Sequence, residues 1–284
     1  MTIEIRPLHD AFGAEVIGVD LSQPLGAEEF ATVHRAHLDH GIILFRDQTL
    51  TPEQHKAFSR RFGPPEIHVV SWYRLPDHPE IIVVSNKKDA EGRPLGLEDA
   101  GRYWHSDMSY LPTPALGSIL YAVEVPPTGG ATMFASMHAA FDALPPERKE
   151  SLAKMRAVHH FGSRWYREKD KAGIRPPMTK EEEEKTPPVD HPIIRTHPEN
   201  GRKSIYTGGF SMGVVGMAQD EALEFLDDLD AFMTQPQFVY THEWRAGDVV
   251  FWDNRCTMHH ATVYDAQKHT RHMHRTTIKG DKPV

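Results

Sequence analysis

A chain that carries several short, dense apolar runs has to pack most of them as buried strands, and this sequence carries four. Gly41-Ile42-Ile43-Leu44-Phe45 reads as a buried strand. Ile81-Ile82-Val83-Val84, Ser118-Ile119-Leu120-Tyr121-Ala122 and Val249-Val250-Phe251-Trp252 are flanked by Pro, Gly or Asp and are too short for helices of their own. Amphipathic stretches separate them. Residues 28–39 and 52–62 predict helices, the second opening on Thr51 as N-cap, Pro52 in the first turn and Gln54 in capping-box position. Residues 137–156 predict a helix broken at Pro145-Pro146, and over 219–233 Leu223, Leu226, Leu229 and Met233 make an apolar face. Strands flanked by separate helices predict an α+β fold.

The length of 284 residues suits one domain over 1–284 with a substantial core. Hydrophobic residues at 39% and charged ones at 25% exclude a disordered chain, and a net charge of −8 has the wrong sign for a protein that neutralises nucleic-acid phosphates. Small-molecule partners are expected instead. The single cysteine, Cys256, forbids an intrachain disulfide and a thiolate zinc cluster. The start Met1-Thr2-Ile3-Glu4-Ile5-Arg6 lacks a basic residue followed by an apolar run, and no stretch approaches the roughly 20 apolar residues that span a bilayer. A cytoplasmic protein without membrane contact is the expectation. The segment at about 163–192, with Arg175-Pro176-Pro177, four glutamates at 181–184 and Pro187-Pro188, reads as a surface excursion or a lid.

Chemistry concentrates in three places. In Tyr103-Trp104-His105-Ser106-Asp107-Met108-Ser109 a strand-like alternation sends His105 and Asp107 to one face, so an imidazole and a carboxylate converge and can fill two neighbouring positions on a metal. The run from Gly247 to Ala261 offers a third ligand in His259 or His260, which face opposite ways on an extended chain. In Arg271-His272-Met273-His274-Arg275 the same alternation places Arg271, Met273 and Arg275 together. Interior guanidinium groups need anionic partners and grip carboxylates bidentately, so these two arginines await either dissociable anions or fixed acids such as Asp253 and Asp265.

Taken in order, Trp104-His105-Ser106-Asp107, Pro126-Pro127-Thr128-Gly129-Gly130-Ala131-Thr132, Trp252-Asp253-Asn254-Arg255 with His259, and Arg271 to Arg275 followed by Gly280-Asp281-Lys282-Pro283 resemble the taurine dioxygenase and 2,4-dichlorophenoxyacetate dioxygenase family. The resemblance covers most of the chain and looks nearer the taurine branch. It implies a double-stranded β-helix, a cupin-like jelly-roll with flanking helices, and an oxygenase that uses Fe(II), 2-oxoglutarate and O2. His105, Asp107 and His259 match the metal ligands. Arg271 matches the residue holding the distal carboxylate of 2-oxoglutarate, and Thr132 a hydrogen-bonding partner of that co-substrate. Arg275 matches the arginine that grips the acidic group of the prime substrate in the taurine enzyme, and His68 a substrate-contacting histidine.

The implied reaction releases succinate and CO2 and hydroxylates a small anionic substrate, an alkylsulfonate such as taurine or a carboxylate such as an aryloxyalkanoate or amino acid. Asp107 occupies the position that related halogenases leave empty for chloride, which favours hydroxylation or desaturation. Two departures leave the substrate open: Gly101 stands where taurine enzymes carry an asparagine, and Ser71-Trp72-Tyr73 where they carry a tyrosine. A zinc hydrolase would also use two histidines and a carboxylate, but leaves Arg271 without a role; a metal-dependent sensor on the same scaffold is the non-enzymatic alternative. Family members are often dimers or tetramers, so a homo-oligomer is expected. His159-His160, His197-Pro198 and Cys256 read as structural.

Overall fold

The computed structural model describes residues 2–67, 73–98, 101–162 and 186–284, together with 180 and 184. Eight strands form the larger sheet, in the spatial order Glu4–Pro7, Ala14–Ile17, Ile42–Phe45, Val249–Asp253, Ala115–Glu124, His272–Lys279, His78–Ser85 and Arg74–Leu75. All neighbours are antiparallel except Ala14–Ile17 beside Ile42–Phe45. A smaller antiparallel sheet places Thr132–Ser136 between Val239–His242 and Thr257–Ala261.

Side-chain alternation assembles the layers. Ile42, Leu44, Leu120, Ala122, Val250, Trp252 and Met273 leave the inner face of the larger sheet and meet Phe134 of the smaller one. Their neighbours in sequence, Ile43, Phe45, Ile119, Tyr121, Val249 and Phe251, leave the outer face and pack with Val33, Ala36 and Phe58, which belong to the helices Ala27–His40 and Pro52–Arg60. Across the molecule Ala135 and Met258 point away from Phe134 into a cluster with Leu226, Leu229 and Met233 of the helix Gln219–Met233. Two facing sheets with helices outside make a jelly-roll, as expected.

The helices follow their sequence signals. Thr51 Oγ1 accepts from the Gln54 amide N–H while the Gln54 side chain accepts from the Thr51 N–H. The Pro145-Pro146 break falls between the helices Met137–Asp142 and Pro146–Leu152. Residues 153–156 do not continue that helix: the chain enters a strand, Arg156–His159, which pairs with both Ser211–Val214 and Val189–Pro192. The excursion at 163–192 lies largely outside the described residues, and its last four residues are this paired strand rather than surface loop. Among the described residues no helix is long and apolar enough to cross a membrane.

Burial of histidines has a consequence for stability. Burial pushes His37, His55 and His159 down to about 3, with smaller contributions from neighbouring charges. A histidine whose folded pKa is depressed binds its proton in the unfolded chain first, so its contribution to stability is present at neutral pH and is lost as pH falls through 6.5 toward 3. At pH 5.5 each costs on the order of 1 kcal/mol. The urea midpoint should therefore fall steeply between pH 7.5 and 5, and a flat profile there would contradict the burial of these rings.

Candidate metal centre

His259 lies in the strand Thr257–Ala261, directly opposite Phe134, and so points inward between the sheets. His105 is joined to it by an isolated antiparallel bridge, the His105 N–H donating to the His259 carbonyl at 3.1 Å and the His259 N–H to the His105 carbonyl at 2.8 Å. That bridge sets His259, rather than its neighbour His260, beside His105. His260 turns the other way, half-buried, with its ring 5.6 Å from that of Trp104.

The strand-like alternation expected over 103–109 stops at His105. Residues 107–110 turn, and Met108 takes a φ of 58° in the left-handed region. The groups converge despite the turn: Asp107 Oδ1 lies 3.9 Å from His105 Nε2, and Oδ2 lies 3.9 Å from His259 Nε2. All three residues are buried, and one donor atom from each lies within 4.8 Å of the others.

Their protonation suits a cation. His105 Nδ1 donates to the Tyr103 carbonyl at 2.8 Å, which leaves the Nε2 lone pair facing Asp107. Burial lowers both histidines below the ordinary imidazole range, with Asp107 opposing, so both are neutral at pH 7. Burial would raise the Asp107 carboxyl, but Arg275 and the two histidines outweigh it and hold it well below the usual carboxylate range. One carboxylate and two neutral imidazoles brought within reach of one another match the donor set of mononuclear iron oxygenases.

Several residues without a signal of their own hold this arrangement. The Tyr103 ring stacks on His105 with centroids 4.7 Å apart and lies so close to Gly209 that a Cβ there would come within 2.3 Å of it. Phe210 meets the His105 ring edge-on at 5.8 Å and Tyr110 at 5.0 Å, giving an aromatic wall on that side. Gly101 has φ 70°, and a Cβ on it would sit 2.9 Å from His105 Cε1. Any side chain at that position would press on the ring, so the glycine leaves room for His105.

The two arginines part company. Arg275 Nη1 donates to Asp107 Oδ1 at 3.1 Å and its side chain remains 16% exposed. Arg271 is buried and has no carboxylate partner among the described residues, and burial pulls it down to about 10, Tyr264 opposing. Neither takes the fixed acids considered from sequence: Asp253 holds Arg255 and His197, and Asp265 holds Lys268. The Arg271 backbone is pinned by Asn86, whose Oδ1 accepts from its N–H at 2.9 Å while Nδ2 donates to the carbonyls of Ala266 and His269. Thr132, inward-facing like Phe134, accepts from Trp244 Nε1 at 3.0 Å. His68 and Trp72 lie outside the described residues, and Tyr73 packs against the core between the sheets.

A second group, His197, Asp253 and Cys256, also brings donor atoms together. It does not suit a cation. Arg255 spans both Asp253 oxygens at 2.9 and 2.6 Å, His197 Nε2 lies 3.0 Å from Oδ2, and burial pushes the Cys256 thiol well up. The structural reading of His197 and Cys256 stands.

The profile of the taurine catabolism dioxygenase TauD, TfdA family matches residues 4–277. The alpha-ketoglutarate-dependent 2,4-dichlorophenoxyacetate dioxygenase of Cupriavidus pinatubonensis is 34% identical over the full length of both chains. The alpha-ketoglutarate-dependent sulfate ester dioxygenase of Pseudomonas putida is 28% identical over 100% of this chain and 92% of its own. Among solved structures, AAD-2 in complex with Mn(II) and N-oxalylglycine superposes with a TM-score of 0.85 at 36% identity, covering 100% of this chain and 99% of its own. A taurine dioxygenase from Burkholderia xenovorans gives 0.82 at 32% identity, covering 100% and 91%. Identity thus does not set the chain nearer the taurine branch. With the His-Asp-His cluster and the jelly-roll that carries it, the chain belongs to the taurine catabolism dioxygenase TauD, TfdA family.

Proposed function

We propose that the prime substrate of this Fe(II)- and 2-oxoglutarate-dependent dioxygenase is a small aryl-bearing organic acid, an aryloxyalkanoate or similar carboxylate, which it hydroxylates with release of succinate and CO2. Arg275 carries the reading: a partly exposed guanidinium beside the His105-Asp107-His259 cluster, with only Asp107 as acidic partner among the described residues. The aromatic wall of Tyr103, Tyr110 and Phe210 supports an aryl group, and the relative named for 2,4-dichlorophenoxyacetate supports an acid of that kind. Arg275 would accept a sulfonate equally well, so an alkylsulfonate remains the second reading, supported by the likeness to a taurine dioxygenase.

In this reading His105, Asp107 and His259 hold the iron. Iron(II) bound there supplies the redox chemistry that couples O2 to oxidative decarboxylation of 2-oxoglutarate and to oxidation of a substrate C–H bond. Arg271 takes the distal carboxylate of 2-oxoglutarate, and its burial makes that pairing strong. Thr132 contributes as a donor. Its oxygen already accepts from Trp244, so its one O–H is left for the co-substrate. Arg275 orients the acidic group of the prime substrate, and the aromatic wall excludes water from its ring.

Trp244→Phe keeps the ring but removes the donor to Thr132, freeing the hydroxyl to rotate. At about 1 kcal/mol for one hydrogen bond, the KM for 2-oxoglutarate should rise roughly 3–10-fold with the prime-substrate KM little changed. The reading as a whole is tested by succinate formation over Fe(II)-reconstituted protein with aryloxyacetates, phenoxypropionates, alkylsulfonates, alkyl sulfates and amino acids. Stimulation by the aryloxy acids supports it. Stimulation confined to the sulfonates moves the assignment to the second reading, and stimulation by none removes both.

A further inference from the structure

We infer that Asn254 and Ser118 are positioning residues for the Asp107 carboxylate, with the Trp252-Asp253-Asn254-Arg255 turn as their mount; this rests on the metal assignment proposed above. Asp107 needs such support because it lies beyond the last bridge of its segment, on a turn where no sheet ladder fixes it. Two contacts replace the ladder. Asn254 Oδ1 accepts from the Asp107 backbone N–H at 3.0 Å, and Ser118 Oγ donates to Asp107 Oδ2 at 2.7 Å. Asn254 Nδ2 donates to Ser118 Oγ at 3.3 Å, which closes the ring and leaves the serine proton directed at the carboxylate. Trp252 Nε1 donates to the same Asn254 Oδ1 at 3.1 Å and fixes the amide's orientation. All four residues are buried, so none of these polar groups has water as an alternative.

The turn that carries Asn254 is held on every side. The Asn254 N–H donates to the Leu116 carbonyl and the Asp253 N–H to the Gly41 carbonyl, tying the turn to the neighbouring strands. Arg255 closes back on Asp253 and reaches Glu199 at 2.6 Å. Thr257 Oγ1 donates to the Asp253 carbonyl, and Ser106 Oγ to the Thr257 carbonyl, so the segment before Asp107 is fastened to the same turn. Each residue of the Trp-Asp-Asn-Arg run therefore has a mechanical part, and the parts meet at one carboxylate. Oδ2, the oxygen Ser118 holds, is also the one nearest His259 Nε2, so the serine sets how that oxygen is presented to a shared cation.

The test is Mn(II) titration of the metal-free full-length protein without 2-oxoglutarate, followed by calorimetry, with the melting of each metal-free variant recorded beside it. Partners of a metal ligand are worth about 10–100-fold in affinity, so Ser118→Ala should bind Mn(II) roughly 10-fold more weakly and Asn254→Ala up to about 100-fold. Metal-free Ser118→Ala should stay folded but melt a few degrees lower, because Asp107 Oδ2 and Asn254 Nδ2 each lose a buried partner. Thr277→Val, which removes a hydroxyl 3.5 Å from Ser118 but none that touches Asp107, should bind Mn(II) as the wild type does. Should Asn254→Ala not fold, Ser118→Ala decides alone. Unchanged affinity in Ser118→Ala, or equal losses in Ser118→Ala and Thr277→Val, overturns the inference while leaving the metal assignment intact. A wild-type chain that takes up no Mn(II) overturns the assignment and the inference with it.

Discussion

Asp107→Ala is expected to abolish substrate-dependent succinate formation, by on the order of 10³-fold or more, because a direct ligand counts for more than the roughly 10–100-fold carried by the groups around it. The fold should survive at a measurable cost. Asp107 is the partner of Arg275, and removing it leaves a guanidinium 84% withdrawn from solvent with no carboxylate beside it. Exposure of the remainder keeps the loss to about 1–3 kcal/mol rather than the larger figure for a fully buried pair. Adding Arg275→Leu to Asp107→Ala should restore much of that stability and none of the turnover. Succinate assayed with thermal melting separates the two effects. Turnover above a tenth of the wild type in Asp107→Ala would remove this residue from the ligand set.

How much of this was legible beforehand depended on whether the signal was local. Helices announced themselves through caps and breakers: Thr51 with Gln54 marked one start, and Pro145-Pro146 one interruption, because both act within a turn of chain. Strands rich in Ile and Val were equally plain, but the helix expected to run to 156 ends at Leu152, because the strand that begins at Arg156 is decided by partners at 189–192 and 211–214. For the site, period-two alternation brought Arg271, Met273 and Arg275 to one face, and Met273 does lie in the core between the sheets. The same rule brought His105 and Asp107 together for a partly wrong reason: the segment bends at Asp107, and convergence comes from the bridge to His259 and the anchor at Asn254.

Residues that support the cluster carried no such mark. Ser118 lies mid-strand in an apolar run, and its polarity at a position where Leu120 and Ala122 face inward was the one available hint that a polar partner waits there. Asn86, Trp244 and Tyr103 act on residues more than a hundred positions away or through a backbone carbonyl, which spacing cannot register.

Arg271→Leu is expected to separate binding from folding. The guanidinium is buried without a carboxylate among the described residues, and its pKa is depressed to about 10 by that burial. A base whose folded pKa lies below its unfolded one opposes folding while it is charged, so at neutral pH its removal relieves the fold. Leucine removes the cost of burying the cation but leaves part of its space empty, so the metal-free protein should melt close to the wild-type temperature. Binding of 2-oxoglutarate should suffer the opposite fate. A bidentate charge-assisted pair is worth about 3–4 kcal/mol, which corresponds to a rise of on the order of 10²–10³-fold in the apparent 2-oxoglutarate requirement. The stabilisation that wild-type protein gains from millimolar 2-oxoglutarate with Mn(II) should vanish at the same concentration. Arg275→Leu should do the reverse, raising the prime-substrate KM and sparing that of 2-oxoglutarate. If Arg271→Leu raised both KM values equally, or destabilised the unliganded chain, its charge would be serving the fold rather than the co-substrate.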